Sequence, residues 1–228
     1  MGKLLKLMSK RRLLQVALDF IEVEDALRIV NDLRDVDVDV IELGTPLIKS
    51  YGLRNLNVIK KFVGNKVILA DTKTADACAT EAELVYSSGF DALTVLGFSD
   101  NEVIKSCIRK SQEFDLDVIV DMIGFSIDKL EDRLRVLVRL GVNIVNIHTG
   151  IDVQRLKGKR VIDFLDPIGR IISRFSKDLR FSLSGGIKPE DIPRLKNLDI
   201  SLIVIGSAIT KAENPREQAL KAIRFLRG

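Results

Sequence analysis

Two cysteines, one histidine and no tryptophan stand in a chain of 228 residues. Cys78 and Cys107 are too few for a disulfide framework, and their separation does not match a zinc site. They read as two small buried thiols on helices, which suits a reducing cytoplasm. No apolar run approaches the roughly 18 residues that cross a bilayer, so a membrane span is excluded. An excess of one charge is also missing. Lys and Arg number 36, Asp and Glu 32, leaving a net +4. These charges are interspersed, as on a solvated surface, and no nucleic-acid footprint forms. The one basic cluster, Lys3, Lys6, Lys10, Arg11 and Arg12, lacks the apolar core and cleavage site of a secretory leader. It predicts a frayed or peripheral basic arm over residues 1–13. No linker or composition break marks a second domain.

The 46% hydrophobic content rules out disorder, and 30% charged residues without Trp would suit a thermophile. Eight β-type runs recur at near-regular intervals: Gln15–Phe20, Val40–Gly44, Val67–Thr72, Ala92–Gly97, Val118–Ile123, Asn143–His148, Arg180–Ser184 and Leu202–Gly206. Between them apolar residues fall at helical spacing, as in Leu53, Leu56, Ile59 and Phe62, or Leu130, Leu134, Leu137 and Val138. A last helix begins at Asn214 as N-cap, with Pro215 in the first turn and Glu217 at the third position. Such alternation requires crossover connections and parallel strands. Eight units in this length predict a single (β/α)₈ barrel, a fold that typically takes about 250 residues. Arg155–Lys159 is expected as a loop on the rim, ahead of a helical stretch around Val161–Phe175.

Asp71-Thr72-Lys73-Thr74-Ala75-Asp76 follows the buried run Val67-Ile68-Leu69-Ala70. Charges leaving a buried strand cost several kcal/mol unless paired or bound to an ion. The set is either a structural ion cluster or a catalytic one. Other strand ends favour the second. In this architecture chemistry sits at the C-terminal ends of strands. There the sequence places Asp19, Glu42, Asp121 and His148 beside Asp71, Lys73 and Asp76. Asp19 taken alone could equally be a helix N-cap. The seventh and eighth strands end in Ser184-Gly185-Gly186 and Gly206-Ser207. Glycines there let backbone N–H groups approach an anion, and phosphate sites recur at these two strand ends. A phosphorylated substrate is expected.

Val16-Ala17-Leu18-Asp19, Ile41 to Ile48, Asp71 to Ala77, Thr94 to Gly97 and His148-Thr149-Gly150-Ile151-Asp152 resemble the 3-hexulose-6-phosphate synthase branch of the orotidine 5′-monophosphate decarboxylase superfamily. The Asp-x-Lys-x-x-Asp motif points only to the superfamily. The Glu-Leu-Gly-Thr-Pro-Leu-Ile and His-Thr-Gly-Ile-Asp blocks point to the branch. The resemblance runs from Leu14 to the C-terminus.

It implies a metal-dependent aldehyde-lyase of the aldolase type, joining formaldehyde to D-ribulose 5-phosphate to give D-arabino-hex-3-ulose 6-phosphate, reversibly. Glu42 and Asp71 would bind Mg²⁺ (or Mn²⁺), and Lys73 would hydrogen-bond substrate oxygens. His148 would move the C1 proton. Asp76 would reach across a homodimer interface. Ser184, Gly185, Gly186, Gly206 and Ser207 would hold phosphate. A 6-phospho-3-hexuloisomerase would be a functional partner. The sequence departs from the pattern at Cys78, where a small residue is expected, and in the basic stretch Arg155–Arg160.

Hard oxygen ligands suit Mg²⁺ or Mn²⁺. Lys73 could instead form a Schiff base, but that needs a depressed pKa, and neighbouring carboxylates favour its charged form. The alternatives are a phosphosugar or orotidine 5′-monophosphate decarboxylase of the same superfamily, and a non-catalytic phosphosugar-binding protein. Ile151 and Ser207 stand where the two decarboxylase branches are expected to carry Arg. The full set Glu42, Asp71, Lys73 and His148 exceeds what binding alone would need.

Overall fold

A computed structural model describes residues Met1–Gly228. Its eight strands are β1 (Leu13–Leu18), β2 (Val40–Leu43), β3 (Val67–Thr74), β4 (Ala92–Leu96), β5 (Asp117–Asp121), β6 (Ile144–His148), β7 (Arg180–Ser184) and β8 (Leu202–Ile205). They pair in sequence order, all parallel, and β8 closes on β1 through Leu13 opposite Leu202. Each of the eight sequence runs falls on a strand. The first strand begins two residues early and stops at Leu18, which leaves Asp19 on the rim.

The uniform apolarity of these runs follows from burial on both faces. Side chains alternate across a strand. In β2, Ile41 and Leu43 face the helical shell, while Val40 and Glu42 face the barrel axis. In β3, Val67, Leu69 and Asp71 share that inward phase. The lower barrel is thus packed with Leu13, Ala17, Val40, Leu69, Ile119, Ile144 and Val204. Moving up the axis, the inward positions turn polar.

The N-terminal arm is not frayed or peripheral. Lys3–Met8 form a helix whose Leu4 and Met8 are buried against the lower barrel residues. Their i, i+4 spacing puts both on one face. Asp117, just inside β5, accepts hydrogen bonds from the Leu4 and Leu5 N–H groups at 2.8 and 3.1 Å. That satisfies donors at the helix start which have no partner within the helix. The basic residues are also used internally. Arg12 donates to the carbonyls of Ile200 and Leu198 at 2.8 and 2.6 Å, and Arg11 pairs with Asp39. At the other end of the chain Arg227, on the helix Pro215–Arg227, reaches the same Asp39 at 3.2 Å.

Three further local expectations change. Cys78 and Cys107 are not separate thiols but a disulfide, with Cα atoms 4.9 Å apart. The helices Cys78–Ser87 and Asn101–Glu113 lie side by side, and buried positions on each meet. The free-thiol argument for a reducing compartment therefore lapses. Residues 155–157 are not loop but the last turn of a short helix, Ile151–Lys157, none of whose residues is buried. Phe62 is 39% exposed, because the expected helix breaks into short turns and Val63 takes the buried place. The Asn214 cap stands as read, accepting from the Glu217 N–H at 3.0 Å.

If the N-terminal helix seals the barrel, Leu4→Ala should destabilise the protein by about 2–5 kcal/mol, the usual cost of emptying a fully buried leucine site. Urea unfolding followed by circular dichroism measures it. A change within about 0.5 kcal/mol, as for a surface residue, would return the arm to a peripheral role.

Candidate active site

Six expected residues converge at the C-terminal mouth of the barrel: Asp19, Glu42, Asp71, Lys73, Asp121 and His148. Glu42 is on β2, Asp71 and Lys73 on β3, Asp121 at the end of β5, and His148 at the end of β6. Glu42, Asp71 and Asp121 are buried. Asp19 stands on the exposed rim after β1.

One lysine stands among the three buried acids. Lys73 Nζ pairs with Asp71 and lies 3.9 Å from Asp121 Oδ2. Burial alone would push Asp71 up. The Lys73 ammonium, with hydrogen bonds from Lys73, Thr94 and Thr45, outweighs it and holds the carboxyl below its ordinary value. Burial likewise opposes charge on Lys73, but Asp71, Asp121 and Glu42 raise its pKa overall. Glu42 has no cation of its own. Burial, then the charges of Asp71 and Asp19, drive it well above the usual carboxylate range. Partial removal from water and the charge of Asp71 also raise Asp19.

A threonine sets the geometry of β3. Thr94 Oγ1 donates to Asp71 Oδ1 at 2.8 Å and accepts from the Lys73 N–H at 2.9 Å. Thr45 Oγ1 donates to Asp71 Oδ2 at 2.8 Å. The pairing of β3 with β4 shifts register between Ala70 and Thr74, and Lys73 takes φ 46°. A non-glycine residue in that region costs on the order of 1–3 kcal/mol, a cost that clusters at functional sites. Within this shift the side chains of Asp71 and Lys73 meet although they are two residues apart.

Across the mouth, His148 Nδ1 lies 2.9 Å from Asp121 Oδ2 and 3.1 Å from Oδ1. In the tautomer with hydrogen on Nδ1, His148 donates to Asp121 and Nε2 keeps the lone pair. Such a pair can serve as a base with an orienting carboxylate.

The two glycine turns lie on neighbouring strand ends. Gly185 and Gly186 have φ of 113° and 76°. A Cβ on Gly185 would sit 2.5 Å from the Thr149 carbonyl oxygen, so only glycine lets the turn pack on the His148-Thr149-Gly150 segment. The N–H groups of Gly185, Gly186 and Gly206 donate to no carbonyl. Ser207 opens a helix of four residues. Ser184 faces inward and accepts from Asn146 Nδ2 at 2.9 Å. Asp76 is not brought to the cluster. It sits on an exposed turn and accepts from the Ala77 N–H at 2.7 Å.

Sequence reasoning attached no role to Gln15, Thr45 or Thr94. Gln15 Nε2 donates to Glu42 Oε2 at 2.7 Å. The available signal was phase: Gln15 and Thr94 are polar residues in the inward phase of β1 and β4.

No three His, Cys, Asp or Glu side chains form a ready metal cage. Mg²⁺ does not require one, because it commonly takes one or two carboxylates and fills its other positions with substrate and water oxygens. Glu42 and Asp71 fit that pattern. Glu42 Oε1 carries no hydrogen bond, and Glu42 and Asp71 share the charge of Lys73.

The family model for "Orotidine 5′-phosphate decarboxylase / HUMPS family" matches residues 12–222. The 3-hexulose-6-phosphate synthase of Mycobacterium gastri is 34% identical over 206 residues, spanning 90% of this chain and 95% of that protein. The crystal structure of 3-hexulose-6-phosphate synthase from Salmonella typhimurium superposes with a TM-score of 0.85 at 34% identity, covering 94% of this chain and 98% of that one. The crystal structure of KGPDC from Streptococcus mutans shares the fold, with a TM-score of 0.80 at 24% identity over 96% of this chain and 98% of that one. By sequence and by barrel alike, the chain belongs to the orotidine 5′-phosphate decarboxylase / HUMPS family.

Proposed function

We propose that this protein is a 3-hexulose-6-phosphate synthase, joining formaldehyde to D-ribulose 5-phosphate in a reversible aldol reaction. The observation that carries the reading is the facing pair of dyads, Asp121–His148 and Asp71–Lys73, in the mouth of a chain 34% identical to a synthase.

The reaction needs a carbanion equivalent at C1, beside the C2 ketone. His148 Nε2 takes the C1 proton, and Asp121 steadies the imidazolium that results. Lys73 donates a hydrogen bond to the substrate oxygen on which negative charge develops. C1 then attacks the carbonyl carbon of formaldehyde, the carbonyl π bond opens as the new carbon–carbon bond forms, and the former aldehyde oxygen takes its proton from the His148 imidazolium, which returns the base to its neutral form. The unpaired N–H groups of Gly185, Gly186 and Gly206 grip the phosphate, with Ser184 and Ser207 beside them. A divalent cation held by Glu42 and Asp71 would add Lewis-acid stabilisation of the enolate. The raised pKa of Lys73 opposes a Schiff base. We place the activity in the cytoplasm, where phosphorylated sugars are held, with a 6-phospho-3-hexuloisomerase acting on the product.

Chelation should abolish formaldehyde consumption, and Mg²⁺ or Mn²⁺ should restore it. Glu42→Gln and Asp71→Asn should each lower kcat/KM by about 10²-fold or more, since several kcal/mol of enolate stabilisation is lost. Full turnover in excess chelator, with borohydride trapping of Lys73, would establish a Schiff-base aldolase instead.

His148→Ala should slow exchange of the ribulose 5-phosphate C1 proton with deuterated solvent by about 10²–10⁴-fold. Proton NMR without formaldehyde reads this half-reaction alone. Exchange at the wild-type rate would remove His148 from the chemistry.

Asp76, alone on its exposed turn, is assigned to the neighbouring site of a homodimer. Asp76→Ala and Glu42→Gln proteins, each impaired alone, should regain some activity when subunits are mixed. A monomer by sedimentation, with full activity, would end this assignment.

A further inference from the structure

Gln15 is a polar side chain in an apolar layer. It lies mid-strand on β1, 3% exposed, opposite Val40 of β2 and Val204 of β8. The inward neighbours along its own strand are Leu13 and Ala17. Its Nε2 makes one hydrogen bond, to Glu42 Oε2 at 2.7 Å. Its Oε1 is buried with no partner. Leaving an acceptor unsatisfied in this way costs about 1–3 kcal/mol. Methionine is close to glutamine in length and would fill the place without that cost. Packing therefore does not explain glutamine here.

What glutamine does that methionine cannot is hold a carboxylate. Glu42 receives no other side-chain hydrogen bond and no ion pair. Asp71 and Asp19 repel it more than the charge of Lys73 attracts it. Free to rotate, the Glu42 carboxylate would turn away from them. The Gln15 amide engages Oε2 from one inward position lower in the barrel and leaves Oε1 unbonded. The geometry points to Gln15 as a positioning residue that fixes Glu42 in the arrangement that takes a divalent cation. This rests on Glu42 and Asp71 as the cation ligands proposed above. Outer partners of this kind, when removed, typically weaken metal binding by 10- to 100-fold.

The test is Mn²⁺ alone, titrated into the full chain and followed by the electron paramagnetic resonance signal of the free ion. Wild type should bind, and Glu42→Gln should lose the site. Gln15→Met should bind about 10- to 100-fold more weakly while its thermal midpoint stays level or rises, because the orphaned acceptor is gone. Gln15→Asn keeps the amide one methylene short of Glu42. It should bind as weakly as Gln15→Met, and it serves if the methionine variant fails to fold. Wild-type affinity in Gln15→Met and Gln15→Asn, beside a dead Glu42→Gln, would overturn the role of Gln15 alone. No binding by wild type, or equal binding by Glu42→Gln, would overturn the metal reading beneath it. A lowered midpoint with unchanged affinity would make Gln15 a structural residue.

Discussion

Three buried carboxylates in the mouth of an apolar barrel can coexist only because a lysine stands among them. Lys73 is close to Asp71 and to Asp121 and its charge reaches Glu42. The pairing is not symmetric. Asp71 takes most of the cation and is held ionised, and Asp121 is shared with His148. Glu42 is left with a glutamine amide and two repelling neighbours. This uneven division sets the roles. Glu42 is the least compensated of the three, so a cation on that side of the mouth would stabilise its charged form, while the compensated side keeps Lys73 protonated as a donor.

The division depends on a local departure from regular strand geometry. In an ideal strand, residues 71 and 73 would point the same way and stand two positions apart along it. The pair forms where β3 shifts register against β4 and where Lys73 takes a left-handed backbone. Thr94 holds both ends of this arrangement with a single hydroxyl group. The strain is local, while the surrounding barrel is regular. A rigid scaffold with one distorted strand end is a common way to fix a reactive constellation.

The barrel was legible in the sequence because double burial makes parallel strands into continuous apolar runs, and punctuation by polar helices repeats eight times. The mouth was legible because Glu42, Asp71, Asp121 and His148 end such runs. Other parts were hidden for identifiable reasons. Leu4 and Met8 lie in a stretch dominated by lysines, and their burial depends on the open lower end of the barrel, which no local pattern announces. The Cys78–Cys107 bond depends on two helices lying side by side, a tertiary fact that a separation of 29 residues conceals. Gln15 reads as an ordinary strand residue until the closed barrel places it beneath Glu42. Asp76 followed its motif, yet it stands apart from the cluster within one chain, because the turn that carries it faces outward.

The lower end of the barrel has a practical meaning. The Met1 amine lies 3.3 Å from Asp115, just ahead of β5, and Arg227 is anchored at Asp39, just ahead of β2. Both termini therefore emerge on the face opposite the mouth. A second enzyme tethered through a linker to either end would hang beneath the barrel and leave the entrance unobstructed.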